Sequence, residues 1–217
     1  MQIVDLTHEL RSGMQVYPGD PEVVITSALN VDEHGVNVLS LHLGSQSGTH
    51  LDAPFHVLNE LATLDELDLR RFVGRACVVD ATGLRPRSEI PHERFSDVDY
   101  SRCSIVLVRT DWSDYFGTRA YFAHPYPSIS SLEFLLARGI STIGLDCLSL
   151  DRTPDDPARA TLESHYLWCR ANGIIAENLT NLRSVTAETP YVSLFPIKLG
   201  SSDGALIRAV ALSGLTE

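Results

Sequence analysis

Residues 46–56 constrain the fold more than any other part of this sequence. In an extended backbone, alternate side chains point to the same face. The polar members of one predicted face are Gln46, His50, Asp52 and His56. The odd positions from Leu51 to Val57 are apolar and would face a core. The segment therefore predicts a strand with one chemical face and one packing face.

Imidazole and carboxylate groups on one face suit a divalent ion such as zinc or manganese. A single histidine is more often solvated or satisfied within a core, and eight histidines in 217 residues is not unusual. Two histidines and an aspartate on one face are harder to explain in that way. Pro54 cannot donate to a sheet ladder, so the same-face argument is strong for His50 and Asp52 and weaker for His56.

Composition limits the class of protein. A chain of 217 residues with 44% hydrophobic residues suits one globular domain, expected over residues 1–217. Its net charge of −11 disfavours a nucleic-acid partner, because phosphate binding needs clustered basic residues. We expect no membrane span, since no apolar run is long enough, and no signal peptide at Met1–Asp5.

The cysteines are far apart and form no CxxC pair, which predicts reduced, mostly buried thiols in a cytoplasmic protein. They are Cys77, Cys103, Cys147 and Cys169.

Strand patterns dominate, which predicts a mixed α/β domain. Predicted strands are Val23–Thr26, Val36–Leu43, Ala76–Asp80, Ile105–Arg109, Ser141–Asp146, Tyr191–Leu199 and Ala205–Leu212. Alternation of Leu39, Leu41 and Leu43 with polar residues predicts a half-buried strand leading into the 46–56 segment.

Helices are predicted over Ser131–Arg138 and Leu162–Ala171. Ser130 and Glu133 are placed for a capping box at the first. The polar stretches 85–102 and 151–160 are predicted to be surface loops or short helices.

The run Gly48-Thr49-His50-Leu51-Asp52-Ala53-Pro54-Phe55-His56 resembles the signature of the metal-dependent cyclase-like hydrolases, which include bacterial kynurenine formamidase and isatin hydrolase. Tyr17-Pro18-Gly19-Asp20-Pro21 and Asp203-Gly204 are similar to further family landmarks. The resemblance implies a swivelling β/β/α domain with mixed sheets and few helices. It also implies a small-molecule substrate and a homodimer or homotetramer.

The resemblance implies that His165 and Glu177 join His50 and Asp52 in a site for one or two ions, Zn²⁺ or Mn²⁺. Taken alone, His165 is a helix-surface residue. Glu177 alone is either a carboxylate at the end of a buried strand, which is costly unless paired or bound to a metal, or an acid favoured by a helix dipole.

Two further roles follow from the same resemblance. His56 matches the family's acid/base histidine, which would take a proton from water and return it to the leaving nitrogen. Tyr17 matches an aromatic position that contacts the substrate, although it is equally explained as a turn residue before Pro18.

Gln46 departs from the family pattern, which has histidine at this position. An amide oxygen is a poorer zinc donor than imidazole and suits harder ions. Gln46 therefore either ligates through its oxygen, leaves its position to water, or marks the loss of one of two metal positions.

The resulting functional prediction is metal-assisted hydrolysis of an amide-type bond in a small aromatic molecule of the N-formylkynurenine kind. Hydrolysis of a cyclic amide such as isatin, or of a lactone, uses the same water activation and is an alternative. A non-catalytic scaffold with a decayed metal site is a third possibility, although retention of all the other site residues argues against it.

Overall fold

A computed structural model describes residues 1–156 and 159–214. Strands dominate this part of the chain, which confirms the predicted α/β class with mixed sheets and few helices. The strands are β1 (Gln2–Asp5), β2 (Val24–Leu29), β3 (Val38–His42), β4 (His50–Asp52), β5 (Val73–Asp80), β6 (Glu89–Ile90), β7 (Ile105–Arg109), β8 (Tyr126–Pro127), β9 (Thr142–Leu145), β10 (Ile174–Glu177), β11 (Tyr191–Ser193), β12 (Gly204–Leu206) and β13 (Val210–Ser213). The α-helices are α1 (Val31–His34), α2 (Glu93–Ser96), α3 (Ile129–Leu136) and α4 (Glu163–Arg170). Within the described ranges, no helix is long and apolar enough to cross a membrane.

One sheet organises the described chain, with nine strands in the order β1-β13-β11-β5-β7-β9-β10-β4-β12. Strands β5, β7, β9 and β10 form its parallel centre. Strand β4 lies near one edge and is antiparallel to both of its neighbours, β10 and β12. Hydrogen bonding on both sides therefore fixes β4 in position and register.

Two clusters of buried apolar residues lie on the two faces of the central sheet. Along β7, Val106 and Val108 enter one cluster, while Ile105 and Leu107 enter the other. Helix α4 covers the first cluster with Trp168, whose side chain is fully buried. The continuous apolar sequence of β7 follows from burial on both faces.

Several element boundaries differ from the sequence predictions. Helix α3 is capped by Ser128, whose Oγ accepts the amide of Ser131 at 3.2 Å, and not by the predicted Ser130–Glu133 box. The predicted strand Ala205–Leu212 is two strands, because β12 pairs with β4 while β13 pairs with β1 and β11. The predicted strand Tyr191–Leu199 ends at Ser193, where pairing with β5 and β13 stops.

The β2–β3 hairpin also departs from prediction. Strands β2 and β3 form a separate two-stranded sheet, so β3 does not pack on the core. Leu39 and Leu41 are 63% and 58% exposed, which makes the prediction of a half-buried strand wrong.

The prediction that all four cysteines are reduced is wrong for one pair. Cys77 in β5 and Cys103 just before β7 form a disulfide, with Cα atoms 5.8 Å apart. Parallel pairing of β5 with β7 brings the two residues together, although they are 26 positions apart in sequence. Cys147 and Cys169 are free and buried. The disulfide removes one of the arguments for a cytoplasmic location.

We expect the Cys77–Cys103 bond to be visible by alkylation. Protein denatured without reductant should take up two labels, on Cys147 and Cys169, and reduced protein should take up four. Intact-mass spectrometry counts the labels. The Cys77→Ser/Cys103→Ser double variant should give two labels under both conditions, and four labels on unreduced wild type would contradict the pairing.

Candidate metal centre

Strand β4 carries the chemical face predicted for it, but only over three residues. Leu51 is buried in one apolar cluster, so His50 and Asp52 project from the opposite face of β4. Beyond them, Pro54–His56 is a 3₁₀ turn, and Gln46 lies in a turn before β4. The prediction of one extended face is therefore wrong for Gln46 and His56, although the turns return both side chains to the same cavity.

The other two predicted ligands are brought to this face by α4 and β10. Glu177 lies directly opposite His50 in the antiparallel β4–β10 pair, so their side chains share a face. His165 lies on the buried side of α4, one turn before Trp168 and Cys169. His165 is 3% exposed, so it is not the helix-surface residue that it could have been on its own. Glu177 is 5% exposed and ends strand β10, which is the buried-strand alternative.

The Nε2 atoms of both histidines contact both carboxylates. Nε2 of His50 lies 3.5 Å from Asp52 Oδ1 and 3.7 Å from Glu177 Oε2. Nε2 of His165 lies 3.5 Å from Asp52 Oδ2 and 3.4 Å from Glu177 Oε1. Donor atoms about 2.1 Å from a tetrahedral ion lie about 3.4 Å from one another. The spacing therefore fits metal ligation.

Two groups of side chains among the described residues have the spacing to hold an ion. One consists of His50, Asp52 and Glu177, and the other of Asp52, His56 and His165. Asp52 belongs to both, so the arrangement accommodates one ion or two adjacent ions that share this carboxylate.

The Asp52 carboxylate provides a test of whether an ion fits. It is 1% exposed, and neither oxygen has a hydrogen-bond partner among the described residues. A buried carboxylate without such partners is costly. A divalent cation satisfies both oxygens, and the mixture of imidazole and carboxylate donors suits zinc or manganese.

Charge coupling within the cluster is strong. Burial by itself lowers the pKa of His50, but the carboxylates of Asp52 and Glu177 outweigh it and raise that pKa to about 9. Burial raises the pKa of Asp52, but the imidazoles of His56, His165 and His50 outweigh it and hold that pKa far below its usual range. Because a ligating imidazole nitrogen is unprotonated, a bound ion would displace protons.

His50 and His165 are both oriented through Nδ1. The carbonyl oxygen of Gly48 accepts from His50 Nδ1 at 2.8 Å, and Asp151 Oδ2 accepts from His165 Nδ1 at 2.6 Å. An acceptor at Nδ1 leaves Nε2 free as a potential donor to an ion and raises its basicity.

Asp151 was not among the predicted site residues, because it falls in the stretch 151–160 that was predicted to form surface loops or short helices. Asp151 is only 6% exposed. It accepts the backbone amides of Ser164 and His165 and so caps α4, because the N-cap residue Leu162 has no side chain able to do so.

A cavity of about 180 Å³ opens above the cluster. Its lining includes Tyr17, His56 and Asp20. Like Asp151, Asp20 was not among the predicted site residues.

Gln46 also lines the cavity. Its Nε2 donates to Asp203 Oδ2 at 2.7 Å, while its Oε1 is buried without a hydrogen-bond partner among the described residues.

The buried cluster of imidazoles and carboxylates below a small cavity has the composition and spacing of a candidate metal centre. The sequence profile of the family described as "Putative cyclase" matches residues 4–152, and the chain belongs to this family. Kynurenine formamidase of Salinibacter ruber is 30% identical to this chain over 221 residues, and the alignment covers 97% of each of the two chains. Kynurenine formamidase of Bacillus thuringiensis is 29% identical over 210 residues, 95% of both chains. The structure of isatin hydrolase A from Labrenzia aggregata bound to benzyl benzoate superimposes with a TM-score of 0.84 and 25% identity, over 97% of this chain and 93% of that one.

We expect the Asp151→Asn variant to bind Zn²⁺ about 10- to 100-fold more weakly, the usual cost of losing a partner that orients a ligand histidine. Competition with a chromophoric chelator measures the affinity, and circular dichroism checks that α4 is retained. Asp155→Asn, in the same loop but exposed, is the matched control. Equal zinc affinity in both variants would restrict Asp151 to its role as a helix cap.

Proposed function

We propose that this chain is a metal-dependent hydrolase that cleaves an amide-type bond of a small aromatic molecule, of the N-formylkynurenine kind. The observation that carries the proposal is the buried Asp52 carboxylate, which is flanked by the Nε2 atoms of His50 and His165 and has no hydrogen-bond partner within residues 1–156 and 159–214. The similarity to relatives named kynurenine formamidase, over nearly the whole chain, supports the substrate class.

The proposed ligands are His50, Asp52, His165 and Glu177, for one or two ions of Zn²⁺ or Mn²⁺. Gln46 is a further proposed donor through Oε1, because its amide nitrogen bonds to Asp203 and its oxygen has no hydrogen-bond partner in the described part of the chain. An amide oxygen favours a harder ion than zinc, which keeps manganese in the proposal.

The ion would supply Lewis-acid activation of water and of the substrate carbonyl. His56 is the proposed proton acceptor and donor, because it lines the cavity beside the cluster. Burial alone lowers the pKa of His56, but Asp52 and Asp203 outweigh it and raise that pKa, which favours its ability to take up a proton. The half-buried Tyr17 would pack against a planar substrate at the cavity wall.

Hydrolysis of a cyclic amide or lactone is the second candidate, favoured by the likeness to isatin hydrolase A. Purified protein should be loaded with zinc or with manganese and assayed against N-formylkynurenine, isatin and simple lactones. Fastest turnover of N-formylkynurenine is the expected result, and preference for isatin would favour the second candidate. Protein that binds no ion and turns over nothing would leave the scaffold interpretation.

For His56→Ala, we expect nearly unchanged metal content and a fall in kcat of about 10²–10⁴-fold, the usual contribution of a positioned acid/base group. Elemental analysis and steady-state kinetics measure the two quantities. His34→Ala, an exposed histidine in α1, is the control. Loss of metal from His56→Ala would make His56 a ligand, a role that its place in the second group of potential ligands permits.

We also propose that the chain forms a homodimer or homotetramer through the β2–β3 hairpin. All five residues of β3 are exposed, and Leu41 lines an apolar groove together with Phe195, Ile197 and Leu199. Exposed apolar patches of this kind mark interaction sites in soluble proteins. The proposed occupant of the groove is a second copy of this chain. In a two-fold interface each copy uses the same surface, so the hairpin of each copy would pack against the groove of the other.

We expect Leu39→Asp/Leu41→Asp to be monomeric by light scattering after size-exclusion chromatography, because two charges would be buried at the contact. Ile3→Asp is the matched control, since Ile3 is 57% exposed and lies in β1. A monomeric wild type, or an unchanged mass in the double variant, would contradict this interface.

A further inference from the structure

A carboxylate outside the metal cluster contacts His56. Asp203, directly before β12, has its Oδ2 3.3 Å from His56 Nδ1 and 2.7 Å from Gln46 Nε2, and its Oδ1 accepts from Ser45 Oγ at 2.9 Å. We infer that Asp203 is the positioning residue of His56. Its carboxylate accepts a hydrogen bond from Nδ1–H, which leaves Nε2 as the nitrogen that exchanges protons with the substrate. The inference rests on the proposed role of His56 and extends it.

The chemistry of the three partners supports this proton placement. Oδ1 of Asp203 accepts from Ser45 Oγ at 2.9 Å and Oδ2 accepts from Gln46 Nε2 at 2.7 Å, so both oxygens act as acceptors, which is the arrangement of an ionised carboxylate. An ionised carboxylate only accepts hydrogen bonds. Gln46 must therefore direct its amide nitrogen to Asp203, and the Nδ1 atom of His56 can approach Oδ2 only as a donor.

Gln46 offers the competing arrangement. Its Nε2 lies 3.2 Å from His56 Nδ1 and could donate to that nitrogen, which would place the imidazole proton on Nε2. A hydrogen bond to an ionised carboxylate is roughly twice as strong as one between neutral groups. The contact with Asp203 therefore prevails, and Nδ1 carries the proton.

The backbone holds Asp203 where the inference requires it. Its carbonyl oxygen accepts the amide of Ala53 at 2.8 Å, and the next residue, Gly204, lies opposite Asp52 in the β4–β12 pair. A Cβ atom at Gly204 would lie 2.4 Å from the Leu51 carbonyl oxygen and 2.6 Å from Gln46 Nε2. Only glycine permits this close approach, so Asp203, Gln46 and β4 are packed as one unit.

The first test is spectroscopic and independent of any substrate. ¹⁵N NMR of histidine-labelled, metal-free protein reports which ring nitrogen of neutral His56 is protonated, and His56→Ala identifies the signal. We expect the Nδ1–H tautomer in wild type and a shift toward Nε2–H in Asp203→Asn, where Gln46 competes. An Nε2–H tautomer in wild type, or an identical tautomer in the variant, would overturn the inference.

The second test is kinetic, on a substrate that the wild type hydrolyses. We expect Asp203→Ala, assayed with saturating metal, to lower kcat by about 10²-fold with KM nearly unchanged, and acetate to restore part of kcat in this variant but none in His56→Ala. Asp65→Ala is the structural control, because Asp65 holds the same turn through the Ser201 amide. An equal fall in the control would assign the effect to the turn. If the wild type hydrolyses nothing, the proposed function fails, while the NMR result still decides the role of Asp203.

Discussion

Burial of the Asp52 carboxylate is the constraint around which the rest of the site is arranged. Strand β4 lies between β10 and β12, so Asp52 cannot turn away from the interior to reach water. Glu177 comes from the adjacent strand and His165 from the covering helix. Glu177 Oε2 lies 3.7 Å from His50 Nε2, and Glu177 Oε1 lies 3.4 Å from His165 Nε2. The cluster is therefore a product of sheet register and not of flexible loops, which gives the geometric precision that ligation requires.

Local sequence patterns predicted the two faces of the strand around His50 and Asp52, and gave the end of a buried strand as one of two alternatives for Glu177. The alternation through Leu51 gave the faces of β4 correctly, because a period of two is a direct consequence of strand geometry. The short apolar run of Ile174-Ile175-Ala176 favours the buried-strand alternative, and β10 does end at Glu177. The pattern was misleading for Gln46 and His56, where the chain turns on either side of β4.

Long-range pairing accounts for what the sequence did not predict. Asp203 contacts His56 across 147 positions and Asp151 contacts His165 across 14, and no local pattern marks either carboxylate as the partner of an imidazole. The Cys77–Cys103 bond likewise depends on the parallel pairing of β5 with β7. Alternation along β3 was real, but it indicated a face left open by the separate hairpin rather than one covered by the core.

The origin of the proposed ligands in β4, α4 and β10 couples ligation to folding. In the unfolded chain these donors are far apart, so an ion would bind the native state in strong preference to the denatured state. By mass action, free ion at a hundred times its dissociation constant would add about 2.7 kcal/mol to the free energy of unfolding. The melting temperature would then follow the concentration of free ion, and a chelator would act as a mild denaturant.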